Sequence, residues 1–274
     1  VIGSKPVDAI TTEDILKVLS PLWIGKTETA KWVRARIENI LDYAAALQYR
    51  DSLNPARWRG HLDKLLPQPS QVRTVRHHPA MPYSDVPTFM ADLAGDGRVP
   101  ALALRFLILT ATRTGEVLHA RWDEIDERAS VWAIPAARMK ARRMYRVPLT
   151  GATMSVLERL PHRSHRADSA YLFPGFRDGR PLSSMALLIL MREMDYGVDG
   201  DRGAYVPHGF RASFRDWSEE VSSFPRDVAE IALAHVIENR GEAAYRRGDL
   251  FDKRRRMMQE WADYVCRELA EPLS

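Results

Sequence analysis

The chain has 274 residues, 45% hydrophobic and 28% charged, with a formal net charge of +4, the balance of a globular protein with room for one large domain or two smaller ones. Its longest apolar run, Val99 to Leu104, is far short of a bilayer span and excludes a membrane protein. The single cysteine, Cys266, excludes an internal disulfide and a cysteine-built metal site, as expected in a reducing cytoplasm.

No signal sequence is read at the start, and Val1 opens in what reads as the middle of an element, so a piece of a longer protein is expected. TTED at 11–14 reads as a helix start. Val33, Ile37, Ile40, Leu41, Ala44 and Leu47 then mark the apolar stripe of a longer helix, interrupted by the positive charges of Lys31, Arg34 and Arg36. Asn54 to Pro67 reads as a turn and a short helix that a proline stops. Pro67, Pro69, Pro79 and Pro82 bracket a basic stretch that contains Arg76 and has no periodicity, the mark of an interdomain linker over 68–82. Domains are therefore expected at 1–67 and 83–274.

Beyond the linker, Ser84–Leu93 and Val99–Thr110 read as helices, the second apolar nearly all round and hence buried. SVWAIP at 130–135 and MYRVPL at 144–149 are short and β-rich, so the basic RMKARR segment between them forms a hairpin tip carrying Lys140, Arg142 and Arg143. Helical patterns return at Gly151–Leu160, Ser183–Met194, Gly209–Glu220, Pro225–His235 and Phe251–Leu269. The fold class expected is mainly α with a small antiparallel β-sheet. In the last helix Phe251, Met258, Trp261 and Val265 form an apolar stripe, while Lys253 to Arg256 charge the other faces. That stripe either packs on its own domain or docks on a neighbouring protomer.

A net charge of +4 by itself serves solubility, but the clustering of arginines and lysines beside turns and aromatics favours a phosphate-rich partner. Several residues bear on chemistry. HGFRASFRDW at 208–217 places His208, Arg211 and Arg215 on one helical face and Phe210, Phe214 and Trp217 on the other. Arg113 follows the buried helix, with Glu116 one turn on. An arginine there also reads as a cap for helix carbonyls. Lys140 at a wet hairpin tip needs no function, and His235, on the side of Val228, Ile231 and Ala232, reads as a core histidine. Tyr245 in AAYRR is a poor nucleophile by itself, because a phenol loses its proton only near pH 10. One tyrosine, two histidines, two arginines and a lysine together are what attack on a phosphodiester requires.

With these residues in order, the chain resembles a tyrosine recombinase, specifically a phage or prophage integrase of the kind with a preceding arm-binding domain, which is not part of this sequence. Arg113 in ATRTGEVLHARW looks like the first catalytic arginine, with Glu116 at the acidic supporting position. Lys140 in RMKARR looks like the hairpin lysine, and His208 and Arg211 in HGFR match the H-x-x-R pair. His235 in AHVIEN fills the histidine-or-tryptophan position, and Tyr245 matches the nucleophile ten residues later. The resemblance implies a helical core-binding domain at 1–67 and a catalytic domain at 83–274. It also implies strand cleavage through a 3′-phosphotyrosyl bond, with no metal and no other cofactor.

Double-stranded attachment sites are the implied partner, bound by a homo-tetramer whose subunits are monomeric when free, with accessory DNA-bending or excision factors. Lys31, Arg34, Arg36, Arg76, Arg142, Arg143 and Arg215 are the further candidates for DNA contact. Two rivals remain open: a non-catalytic DNA-binding regulator, which has no need of Tyr245 and Lys140 together with both histidines, and a type IB topoisomerase-like enzyme, which need not pair two duplexes.

Overall fold

The computed structural model describes residues 1–51, 53–72, 80–139, 141–160, 170–197, 204–235 and 248–269. The chain divides into two compact units, Val1–His77 and His78–Ser274.

The first unit is a helical pair with an irregular tail. Helix α1 (Thr12–Trp23) starts at Thr11, whose hydroxyl accepts from the Asp14 amide while the Asp14 carboxylate accepts from the Thr11 amide. This reciprocal pairing satisfies two of the amides a helix start leaves bare. Ile15, Leu19 and Trp23 follow at helical spacing and are buried against Ala30 and Leu41 of α2 (Thr27–Ala46) and against Ala56 and Leu62. Each such side chain contributes about 1.5–3 kcal/mol by leaving water. Trp23 also stacks on Trp58 and donates to the Pro67 carbonyl. The stripe on α2 is narrower than expected: Leu41 and Ala44 are buried, whereas Ile40 and Leu47 are 55% and 44% exposed. Leu47 lies past the end of the helix, and Ile40 faces outward beside Trp32 and Tyr43, away from the side α1 covers. Asn54 to Pro67 forms a turn and a single 3-10 turn at Leu62–Lys64. Within 68–82, Pro69–Val72 makes one helical turn, α3, and Met81 is buried in the second unit, its carbonyl accepting from Ser213 Oγ.

The second unit is built on α5 (Val99–Thr110), in which every residue from Ala101 to Thr110 is buried. Around it lie α4 (Val86–Asp92), α6 (Thr114–Leu118), α7 (Gly151–Glu158), α8 (Ala186–Glu193), α9 (Phe210–Glu220), α10 (Arg226–Ala232) and α11 (Phe251–Val265). One antiparallel sheet runs in the order β1 (Ile125–Asp126), β2 (Val131–Ile134), β3 (Tyr145–Pro148), with Trp132 opposite Val147. Alternation along β2 turns Trp132 and Ile134 inward, and Trp132 meets Phe106 of α5 edge to face at 5.3 Å. The chain is thus mainly α with a small antiparallel sheet, as its patterning predicts.

Helix α11 decides between two readings and corrects one expectation. Met257, Met258, Trp261, Ala262 and Val265 are buried in its own unit, and Trp261 Nε1 donates to the Ile108 carbonyl at 2.8 Å. Of the two readings open for the stripe, packing on its own domain is therefore the one the structure bears out. Arg254, expected among the exposed charges, is fully buried: it donates to the carbonyls of Asp249 and Arg146 and to the Tyr145 hydroxyl, and pairs with the Asp249 carboxylate. An arginine whose three nitrogens each find an acceptor can stay charged inside a fold, which helical spacing does not reveal.

Candidate active site

The site gathers where four helix ends meet, those of α5, α6, α9 and α10. Helix α5 stops at Ala111, in the left-handed conformation with φ of 49°, and the chain turns through Thr112 into Arg113, the N-cap of α6. Glu116, at the third position of α6, accepts from the Arg113 amide and again from Arg113 Nη1, both at 2.8 Å. The carboxylate thereby caps the helix and locks the guanidinium. Its side chain is 7% exposed and that of Arg113 is 29% exposed. Arg113 Nη2 donates to the Ala234 carbonyl at 3.1 Å, which joins this corner to the end of α10.

Arg211 comes from the first turn of α9. Its helix is anchored by Phe210, which packs on Phe89, and by Phe214, which is buried with Trp217 and Trp261 in an aromatic cluster. Its Nη1 donates to the Ala111 carbonyl and its Nη2 to the Leu233 carbonyl, both at 2.6 Å. One fork therefore satisfies the ends of α5 and α10, where helix carbonyls concentrate partial negative charge. Arg211 is buried, and burial first, then the charge of Arg113, lowers its pKa to about 10. It stays protonated at neutral pH, yet two cations share a poorly hydrated corner. That arrangement favours an anion, since a guanidinium has five donors and each arginine keeps N–H groups uncommitted among the described residues.

His235 completes the cluster. Its Nε2 lies 3.2 Å from Arg211 Nη2 and its Nδ1 2.6 Å from Glu230 Oε2. It is not the core histidine that its position on the helical wheel implies, because α10 ends at Ala232 and Ala234 turns left-handed with φ of 50°. The side chain is then thrown out of the stripe and is 39% exposed. His208 sits in the 3-10 turn Pro207–Gly209, directly before α9 rather than within it, and is exposed. The structure thus joins Arg113, Glu116, Arg211 and His235 by direct contacts and sets His208 one turn before Arg211.

Lys140 and Tyr245 lie outside the described residues, as does Arg76. The residues beside Lys140 are anchored: Met139 is buried, and Arg138 donates to the Glu124 carboxylate and to the Glu116 carbonyl. Arg142 and Arg143 are exposed on the same hairpin. Arg215, half-buried, pairs with Glu219 and Glu230, acids of its own unit. In the first unit, Arg34 is spent on Glu38 and the Ala56 carbonyl, Lys31 pairs with Glu28, and Arg36 lies over Trp32. Glu230 and Tyr145 escaped the reading of the sequence. Tyr145 donates to the carbonyls of Ile231 and Ala232, and neither it nor Glu230 stands in a motif. The only available signal for Glu230 is its place five residues before His235. No group of His, Cys, Asp and Glu suited to a metal ion occurs among the described residues.

Residues 1–61 match the phage integrase central domain and residues 81–247 match the phage integrase family. The chain is 31% identical to prophage integrase IntA of Escherichia coli (strain K12), over 96% of this chain and 61% of IntA. It is 32% identical to the integrase of Enterobacteria phage P4, over 96% and 61%, and 33% identical to prophage integrase IntZ of Escherichia coli (strain K12), over 98% and 63%. It therefore spans about three fifths of the length of these relatives. In fold it is similar to a lambda integrase dimer bound to a COC′ core site, with a TM-score of 0.60 and 16% identity over 90% of this chain and 82% of that one. The Tn1549 transposon integrase in complex with circular intermediate DNA is similar at a TM-score of 0.56 and 15% identity, over 90% and 88%.

Proposed function

The chain belongs to the phage integrase family of tyrosine recombinases, and on that footing we propose that it is a site-specific DNA recombinase that integrates or excises a phage, prophage or genomic island. The observation that carries the reading is the fixed pair Arg113 and Arg211, braced by Glu116 and flanked by His235. Tyr245 attacks the scissile phosphate, forms a 3′-phosphotyrosyl bond and releases a 5′-hydroxyl. The bond energy is kept for religation, so neither a metal nor a nucleotide is needed. Arg113 and Arg211 bind the non-bridging oxygens and offset the charge that grows as phosphorus becomes five-coordinate. Glu116 orients Arg113, His208 assists removal of the tyrosyl proton, His235 meets a phosphate oxygen, and Lys140 protonates the departing 5′-oxygen.

Residues 1–67 serve as the core-binding domain, 68–82 as the linker and 83–274 as the catalytic domain. The partners are double-stranded attachment sites, met by a monomer that assembles into a homo-tetramer on DNA with accessory DNA-bending or excision factors, in the bacterial cytoplasm. The relative described as a lambda integrase tetramer bound to a Holliday junction supports this assembly, and no helix among the described residues is long and apolar enough to cross a membrane. The reading is tested by trapping the protein on nicked duplexes that contain its attachment site. A denaturation-resistant adduct is expected with the natural chain and none with Tyr245→Phe, at nearly unchanged DNA affinity. An adduct that survives in Tyr245→Phe moves the nucleophile elsewhere, and its absence from the natural chain returns the protein to the class of DNA-binding regulators.

A further inference from the structure

His235 stands between two neighbours of opposite hydrogen-bonding character, and together they fix where its ring proton sits. A guanidinium only donates, so Nε2, 3.2 Å from Arg211 Nη2, meets it with a lone pair. A carboxylate only accepts, so Nδ1, 2.6 Å from Glu230 Oε2, carries the proton. The other oxygen of Glu230 forms an ion pair with Arg215 Nε at 3.2 Å, without a hydrogen bond between them, and Arg215 also pairs with Glu219 at 3.4 Å. A row of alternating partners therefore runs Arg211, His235, Glu230, Arg215, tying the first and second turns of α9 to α10. Arg113 and Glu116 complete the charged groups around this corner, Arg113 reaching it through the Ala234 carbonyl.

We propose that Glu230 is a positioning residue of the reaction centre: it holds His235 as the Nδ1–H tautomer, so that Nε2 is the ring atom presented beside Arg211 to the phosphate, while Arg215 aligns the carboxylate. The proposal rests on the recombinase reading of the same cluster. A phosphate oxygen in front of Arg211 meets Nε2, which takes up and keeps a proton from solvent and donates a hydrogen bond to that oxygen, while the second N–H of the resulting imidazolium stays on Glu230. Without the carboxylate the ring can turn over or move its proton to Nε2, and its hold on the oxygen loses its fixed direction. Arg215 thereby has a role within the protein that needs no contact with DNA.

The test uses the whole chain with ¹⁵N-labelled histidine. The neutral ring of His235 is expected to carry its proton on Nδ1, to keep it there in Glu230→Gln, which retains an acceptor oxygen, and to shift towards Nε2–H in Glu230→Ala. In single-turnover adduct formation, Glu230→Ala is expected to slow the step roughly 10–100-fold, as loss of a histidine-orienting partner does elsewhere, with DNA affinity unchanged and Glu230→Gln within a few-fold of the natural chain. In a His235→Ala background the same Glu230→Ala change should add nothing, because a residue that acts only through the ring has nothing left to act on. A natural chain with its His235 proton on Nε2 overturns the proposal, and so does equal slowing by Glu230→Ala with and without His235. Should the natural chain form no adduct while the ring proton still follows Glu230, the recombinase reading fails and the hold of Glu230 on His235 stands.

Discussion

Arg211 does two jobs with one planar group: it ties the ends of α5 and α10 through their carbonyls, and it presents charge to the site. A lysine has a point charge and no fork, so it cannot span both carbonyls and still face a phosphate. Arg211→Lys is therefore expected to slow adduct formation by roughly 100-fold or more, read in the same single-turnover assay; a rate near that of the natural chain would reduce Arg211 to a bare charge. Asp14 gives a residue-scale prediction in the first unit. Its side chain accepts from Lys5 and from the amide and hydroxyl of Thr11, and these bonds, that of Lys5 foremost, hold its pKa down to about 2. A carboxyl whose folded pKa lies below its unfolded value of about 3.9 stabilises the fold above that pH and stops doing so as pH falls towards 2. Melting of residues 1–77 should therefore weaken between about pH 4 and pH 2. Asp14→Asn should melt earlier at neutral pH and lose that acid-side step, and an unchanged step would assign it to another carboxylate.

At the scale of elements, the helices and the hairpin were legible where burial is nearly complete or strictly alternating. The apolar run of α5 marks a helix buried on every side from Ala101 onward, and the alternation in β2 marks a two-sided sheet. Amphipathic spacing was a poorer guide on α2 and α11, because it says which face is apolar but not how wide a neighbour covers it, nor whether a charge such as Arg254 finds its acceptors inside. Arg254 joins β3, the Asp249 segment and Tyr145, and Tyr145 in turn clasps the end of α10. The hairpin, the His235 corner and the start of α11 thus share one buried guanidinium. Arg254→Met fills a similar volume but removes bonds worth about 1.5–3 kcal/mol each where a charge takes part. It should lower the stability of the second unit by at least about 2 kcal/mol in urea unfolding, and a loss under half of that would show that the acceptors find water or other donors.

At the scale of the molecule, two separate cores exist, one around Trp23 and Leu41 and one around α5. Each should therefore fold when produced by itself, residues 1–77 with the lower stability because a small unit buries a smaller share of its surface. Calorimetry on the fragments 1–77 and 78–274 is expected to give a cooperative transition for each, and a fragment that stays unfolded would show that its core needs the other unit. The sequence by itself determined the mainly helical class, the buried helix, the hairpin and the order of Arg113, Glu116, His208, Arg211 and His235, because periodicity and short motifs are local and survive without knowledge of neighbours. Only the tertiary structure decided which of these residues touch: that Arg211 reaches back to Ala111 and forward to Leu233, that Glu116 locks Arg113, that Arg215 turns to Glu230, and that His235 leaves the core for the guanidinium. Such contacts join residues up to 100 positions apart in the chain, and a carbonyl acceptor leaves no mark in the identity of the residue that bears it.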